Sequence, residues 1–407
     1  MPDVLSQGGS REPGPWPRRV AAVIVLVLAG VVIVQHLPRS RDAAARPARA
    51  TASATPPAAA SSAAVQPAGL AAVPDGLTGP ALSWPGGLRL PAAGQQPAWF
   101  SPGTGQVVPI GGLPLQRSGY QFTRTAGGWA VQAGPGFQAG CGGCAGPRRA
   151  VYFLADRAQS VTQVGLADAV APGAGGALWL TSYPPDANPD TAAGTAQQVS
   201  IAGVPLGSQL RLPAGYRIEQ ATDRGLLLAA VAPRPGATAY QLWNPAAPQA
   251  SRAFDAVIAA STTRIAWAPP CAARCSVLTL NLATGRQVSA ALPQGRSVAS
   301  AAFSPDGSFL AVEVSFSSEA DDGGQAVQLE LESMTSGRLT AVPGTWLSSD
   351  ALVSFGWPAS SDNLVAELSF TTKVQLTSWR PGAGRLAIAL LRPQQSPASL
   401  VIRQSAP

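Results

Sequence analysis

Short apolar runs bounded by turn residues recur along this chain. Six of them read alike: Gly127–Ala133 (GGWAVQA), Gly176–Ser182 (GALWLTS), Gly225–Val231 (GLLLAAV), Thr263–Pro269 (TRIAWAP), Ser308–Val314 (SFLAVEV) and Asn363–Ser369 (NLVAELS). Apolar residues fill successive positions within each run rather than alternate ones. Such runs suit strands covered on both faces by neighbouring layers.

A second pattern joins an apolar strand to another through a small-Gly-polar turn. It occurs in WFSPGTGQVVPI, LTLNLATGRQVSAAL, LELESMTSGRLTAV and LTSWRPGAGRLAIAL, with turn glycines Gly105, Gly285, Gly337 and Gly384. Their separations are 180, 52 and 47 residues, and 180 is four intervals of 45. A period in the mid-forties across nearly 300 residues is the signature of propeller blades. Candidate blades fall at 73–116, 118–167, 168–214, 215–255, 256–294, 296–345 and 350–392, an all-β seven-bladed propeller. The same spacing accommodates six or eight blades.

A third pattern is FSPDGSFLAV, Phe303 to Val312. Here Pro305 pre-sets φ, Gly307 supplies φ > 0, and an apolar strand follows, which together predict a hairpin. The stretch Ser304-Pro305-Asp306-Gly307 resembles the opening turn of the WD40-like repeat of TolB-type propellers, and NLATGRQV, Asn281 to Val288, is similar to that repeat's last turn. The resemblance implies a propeller over about residues 73–403, with FSPDGSFLAV as the first hairpin of its blade. The Gly-His and Trp-Asp pairs of true WD40 repeats are missing. Ser399 to Arg403 (SLVIR) is a strand left over after the seventh blade, and pairing it with the first blade would close the ring.

Composition agrees with many short strands: 43 Gly and 39 Pro are too much punctuation for a helical protein. The formal charge of +7 invites a nucleic-acid reading, but residues 1–50 alone carry seven Arg against three acids. The remainder is nearly neutral, so no electrostatic footprint for a phosphate backbone exists and no nucleic-acid partner is expected.

Within the first fifty residues, Val20 to Val34 is uncharged and apolar, and Gln35, His36 and Leu37 bring it near the length that crosses a bilayer. Small residues suited to signal cleavage lie well past its end, which favours an uncleaved anchor. The chain therefore reads as a short cytoplasmic arm (1–19), a transmembrane helix (20–37), an Ala/Pro/Ser-rich linker (38–72) and the propeller (73–407). The linker cannot bury enough apolar surface to fold. Anchor, linker and a Gly/Ala/Arg-rich propeller with 27 Arg against the single Lys373 also resemble cell-surface proteins of high-GC Gram-positive bacteria.

His36 is the sole histidine, which removes Ser-His-Asp, Cys-His and His-ligated metal chemistry from the propeller. Paired carboxylates remain available in principle. Cys141-Gly-Gly-Cys144 and Cys271-Ala-Ala-Arg-Cys275 fall at one repeat position, between a blade's second and third strands. A four-cysteine zinc site, a redox pair and two local disulfides compete for them. The zinc site needs two pairs that lie three blades apart to meet, and the redox pair needs a helix N-terminus, so local disulfides fit best. These imply an oxidising compartment.

Asp186, Asn188 and Asp190 have the alternate spacing of a calcium loop, but Thr191 and Gln197 stand where its glycine and glutamate belong, so this is a weak metal candidate beside an ordinary turn. Glu319, Asp321 and Asp322 read as a solvated connecting loop. Trp129, Trp179, Trp267 and Trp357 read as core between blades, whereas Trp99, Trp243, Trp346 and Trp379 lie nearer turns or third strands and are the better candidates for a surface site. No cofactor is expected. The reading that results is a membrane-anchored extracytoplasmic propeller acting as a non-catalytic binding or protein-interaction module on an envelope protein or polymer. The alternatives are a carboxylate-dependent envelope enzyme acting on a glycan, and a structural or sensor subunit of an envelope complex.

Overall fold

The computed structural model describes residues 89–117, 119–134, 148–185, 187–233, 238–248, 251–270, 275–317, 325–348, 352–358, 363–369, 374–384, 386–391 and 399–402. The expected arm, transmembrane helix and linker lie outside them. Among the described residues no helix is long and apolar enough to cross a membrane.

The strands form seven antiparallel sheets of four strands each. The chain is a seven-bladed β-propeller. In blades II to VII the four strands follow one another in sequence. Blade II runs Tyr120–Thr125, Gly128–Ala133, Arg149–Ala155 and Thr162–Ala167; blade III runs Ala169–Pro172, Leu178–Ser182, Ala193–Val199 and Leu210–Ala214. Blade IV runs Tyr216–Thr222, Gly225–Ala230, Tyr240–Trp243 and Arg252–Phe254; blade V runs Val257–Ala260, Arg264–Trp267, Ser276–Asn281 and Gln287–Ala291. Blade VI runs Arg296–Phe303, Phe309–Ser317, Gln325–Ser333 and Leu339–Ser348; blade VII runs Leu352–Gly356, Leu364–Ser369, Val374–Trp379 and Ala387–Leu391.

Blade I is the exception, and it closes the ring. The C-terminal strand Ser399–Leu400 takes the first position, ahead of Leu90–Ala93, Ala98–Ser101 and Gln106–Pro109. Leu400 stands opposite Ala92, Ser399 opposite Ala93, and the Val401 N–H donates to Pro91 O at 2.8 Å.

The six look-alike runs are the second strands of blades II to VII, and their burial explains their composition. Gly128–Ala133 is buried at every position, and Leu364–Ser369 at all but the last. Successive side chains of a strand point to opposite faces, and here each face meets a different neighbouring blade. Trp129 and Val131 pack with Trp99 and Ile110 of blade I, while Ala130 packs with Leu178 and Leu180 of blade III. The apolar core accordingly divides into seven clusters, one in each seam between adjacent blades.

Those seams take the tryptophans. Trp129, Trp179, Trp267 and Trp357 are buried as expected. Trp99, Trp243 and Trp379 are buried too, which corrects their assignment as surface candidates. The indole of Trp357 reaches across a seam to donate to Ala302 O at 3.1 Å, and that of Trp379 donates to Ala383 O at 2.7 Å. A ring this large gains more from the seam than from water, provided its N–H finds an acceptor.

Close packing also explains one glycine. Gly225 opens the second strand of blade IV with φ of 136°, and a Cβ there would stand 2.5 Å from Trp243 O. Gly225→Ala combines a strained backbone with a clash against main chain that cannot swing away. It is expected to cost about 2–3 kcal/mol, read as a lowered urea midpoint; a midpoint equal to that of the parent protein would refute it.

Candidate functional site

The repeat turns hold the positions predicted for them. Gly105, Gly285, Gly337 and Gly384 all lie between the third and fourth strands of their blades. The first three have φ of 69°, 72° and 67°. In blade VII the connection is longer, and the left-handed residue there is Gly382 rather than Gly384.

Ser304 to Gly307 join the first two strands of blade VI, as expected for FSPDGSFLAV. Ser304 Oγ donates to Asp306 Oδ1 at 2.6 Å and accepts from the Phe309 N–H at 2.9 Å, while Asp306 Oδ1 also accepts from Ser308 N–H at 3.0 Å. Hydrogen bonds to its charged form, led by that from Ser304, hold the Asp306 carboxyl below the usual carboxylate range. The motif is thus a self-contained turn that Ser304 Oγ and Asp306 Oδ1 shape by local hydrogen bonds.

The other candidates are dispersed. The cysteines fall in sequence between the second and third strands of blades II and V. Cys141, Cys144 and Cys271 lie outside the described residues; Cys275 is not a free thiol. Asp186 also lies outside. Asn188 Oδ1 accepts the Asp190 N–H at 2.9 Å, and Asn188 O accepts from Thr191 and Ala192, so the asparagine serves its own turn. Glu319, Asp321 and Asp322 lie outside the described residues as well.

What the sequence reading did not place is the set of residues that lines the central channel. First strands of five successive blades, II to VI, and the turns that follow them line one cavity of about 430 Å³. Its wall is mostly polar: Gln121, Thr123, Arg124, Arg217, Glu219, Gln220, Ser261, Thr262 and Ser304 all contribute. Glu219 is the one carboxylate among the described lining residues.

A recurring backbone feature places that carboxylate. The first strand of each of blades IV to VII carries a register shift against the second, at Ile218/Gln220, Val257/Ala259, Val298/Ser300 and Leu352/Ser354. A bulge leaves one residue without a pairing partner and re-aims its side chain. In blade IV that residue is Glu219.

Two guanidinium–carboxylate pairs border the cavity and differ in kind. Arg124 grips Asp156 with two parallel bonds of 2.6 and 2.8 Å, and its guanidinium lies 5.0 Å from the centre of the Trp129 ring. That pair is bidentate, with both carboxylate oxygens engaged. Arg217 Nη2 lies 3.0 Å from Glu219 Oε2, an ion-pair contact off the hydrogen-bonding direction, so Oε2 has no hydrogen-bond donor. Burial raises the Glu219 carboxyl above its ordinary range, and Arg217 only partly opposes this. Tyr240 is raised as well, by burial first and then by the nearby Glu219.

One main-chain bond and one arginine side chain join blades IV and V beside the cavity. The Asp223 N–H donates to Thr262 O at 2.8 Å, and Arg224 reaches from blade IV to Leu282 O and Ala283 O, both at 3.0 Å.

No protein-family model matches the chain, and no curated protein matches its sequence significantly. Among solved structures it is similar to TolB from Acinetobacter baumannii, at 13% identity and a TM-score of 0.37, over 64% of this chain and 65% of that one. It is similar to the Pyrococcus horikoshii acylaminoacyl peptidase at 10% identity and 0.44, over 75% of this chain and 52% of that one. A third likeness is to oligogalacturonate lyase from Vibrio parahaemolyticus, at 9% identity and 0.44, over 74% of this chain and 85% of that one. The chain spans under two thirds of TolB and about half of the peptidase. At these scores the likeness extends no further than architecture.

Proposed function

We propose that this protein is a membrane-tethered binding module. Residues 20–37 cross the cell membrane with 1–19 inside, 38–72 act as a spacer, and the propeller works outside the membrane on an envelope protein or polymer, without catalysis. The observation that supports binding is the channel mouth itself, a polar cavity of a size common for ligand sites. Hydrolysis of a glycosidic bond by carboxylates needs two of them about 5 to 10 Å apart, whereas the described lining offers Glu219 alone, beside an arginine. The two cysteine pairs, Cys141 with Cys144 and Cys271 with Cys275, belong to the same reading as local disulfides made in an oxidising compartment.

The test uses the full-length protein in its native host. Intact cells are treated with a protease and a crosslinker, and membranes are then washed at high pH. The expected result is a propeller retained with the membrane through the wash when protease is omitted, attacked by protease added to intact cells, free of alkylatable thiols when denatured without reductant, and crosslinked to an envelope component. Recovery in the wash, or a propeller shielded until the cells are lysed, would count against the tether. Absence of any captured envelope component above an anchor carrying an unrelated domain would count against binding.

A further inference from the structure

Glu219 poses a specific chemical question. Its side chain is nine-tenths buried in the wall of the channel mouth, and its Oε2 has no hydrogen-bond donor although Arg217 stands 3.0 Å away. A buried acceptor left in that condition costs stability unless something supplies a donor. The guanidinium beside it offers the opposite, donors with no acceptor capacity. A group complementary to this pair must therefore donate and accept from adjacent atoms.

Charge narrows the choice. Arg124 is matched by Asp156 and Arg217 by Glu219, so the mouth presents no uncompensated charge of either sign from these residues. A phosphate or a carboxylate would have to compete with Asp156 or Glu219 for its cation. An ammonium would meet Arg217 beside the one carboxylate. A neutral ligand encounters neither penalty.

The remaining wall favours hydroxyls. Thr123 and Thr262 can each both donate and accept, Gln121 does so with separate atoms, and Gln220 keeps its Oε1 as an acceptor while its Nε2 donates to Ala221 O and Ser261 Oγ serves Arg264; these groups come from three blades around the cavity. An extended peptide presents its amides along two edges, whereas the hydroxyls of a sugar ring are spread around its whole rim. Pro172 and Pro305 add flat aliphatic surface against which the C–H face of a ring can rest.

We infer that the channel mouth is a saccharide site, in which adjacent hydroxyls of a neutral sugar donate to Glu219 and accept from Arg217. This deepens the binding-module reading and rests on it. The bulge at Ile218/Gln220 serves the site by turning Glu219 into the cavity. Glu219 and Arg217 are then recognition residues.

The experiment prints neutral oligosaccharides, acidic oligosaccharides and unlabelled peptides on one array and probes it with the full-length protein in detergent. Hits are followed by calorimetry on the parent, Glu219→Gln and Gln121→Ala. The expected result is binding of neutral saccharides, weakened about tenfold or more by each folded variant, with Gln121→Ala melting like the parent. Gln121 is exposed, so its variant keeps the test sound should Glu219→Gln fail to fold. Binding confined to acidic saccharides or to peptides, no binding at all, or parent-like affinity in a folded Glu219→Gln together with Gln121→Ala would overturn the inference. A protein captured in the crosslinking experiment without any saccharide bound on the array would refute the sugar while leaving the binding module standing.

Discussion

Glu332→Gln is expected to stabilise the propeller by up to about 3 kcal/mol at pH 8 and by almost nothing near pH 4. Glu332 lies in the third strand of blade VI, opposite Leu310 on one side and Leu339 on the other. It is fully buried, and both carboxylate oxygens lack a hydrogen-bond partner. Its face of the strand turns towards the seam with blade V, where Phe303, Leu310, Val312 and Met334 cluster. Glu330, two residues away on the same face, is held by Arg296 at 2.8 Å.

Burial pushes the Glu332 carboxyl from 4.5 up to about 7. Because the folded value is raised, the native state keeps its proton after the unfolded chain has released it. Stability is therefore intact below pH 4.5, falls as pH rises from there to about 7, and stays reduced above. The full shift corresponds to about 3 kcal/mol. Glutamine keeps the shape and removes the titration, so its gain should appear only at the higher pH. Glu332→Met also removes the buried polar atoms and should gain at both. Urea unfolding at pH 4 and pH 8 decides the matter, and an equal effect of Glu332→Gln at the two values would sink the argument.

The second large effect is loss of the closing strand. A chain ending at Pro393 is expected to lose cooperative folding of the whole propeller, or to melt far below the parent. Leu400 and Ile402 are both 3% exposed and pack with Leu90, Phe100, Val365 and Leu376 in the seam between blades VII and I. Removing two such side chains costs about 3–6 kcal/mol in burial alone, a large part of the stability of an ordinary domain. Two polar groups also lose partners: Pro91 O, and Glu367 Oε2, which accepts the Leu400 N–H at 3.3 Å. The edge of blade I would then stand open to other chains. Circular dichroism melts of the two lengths provide the check, with a synthetic peptide of residues 394–407 added to the short chain as a rescue. A short chain that melts like the parent would show that this strand does not hold the ring shut.

Both effects separate what is legible in a sequence from what is not. SLVIR is recognisable as a closing strand because one unpaired apolar run remains after seven repeats, and a sheet edge is costly to leave open. Glu332 has no such mark. In the run LELES it alternates with Leu329 and Leu331, and alternation ordinarily places the polar face in water. In a propeller both faces of a strand meet other blades, so the same pattern sinks a carboxylate into a seam. Trp99, Trp243 and Trp379 were misjudged for a related reason, since nearness to a turn in sequence says nothing about a neighbouring blade that covers it.

The sequence by itself determined the hairpins, the period and the ring. Those depend on local chemistry: Pro305 and Gly307 allow only certain backbone angles, and an apolar run of strand length must be covered wherever it lies. Only the tertiary structure decided which polar residues are buried and which meet. Arg124, Arg217, Glu219 and Thr262 come from three blades, are separated by as many as 138 positions in the chain, and converge because the ring brings first strands to a common axis. The bulge that turns Glu219 into the channel is a matter of register between two strands, and register is set by packing across the seams rather than by any residue at the bulge itself.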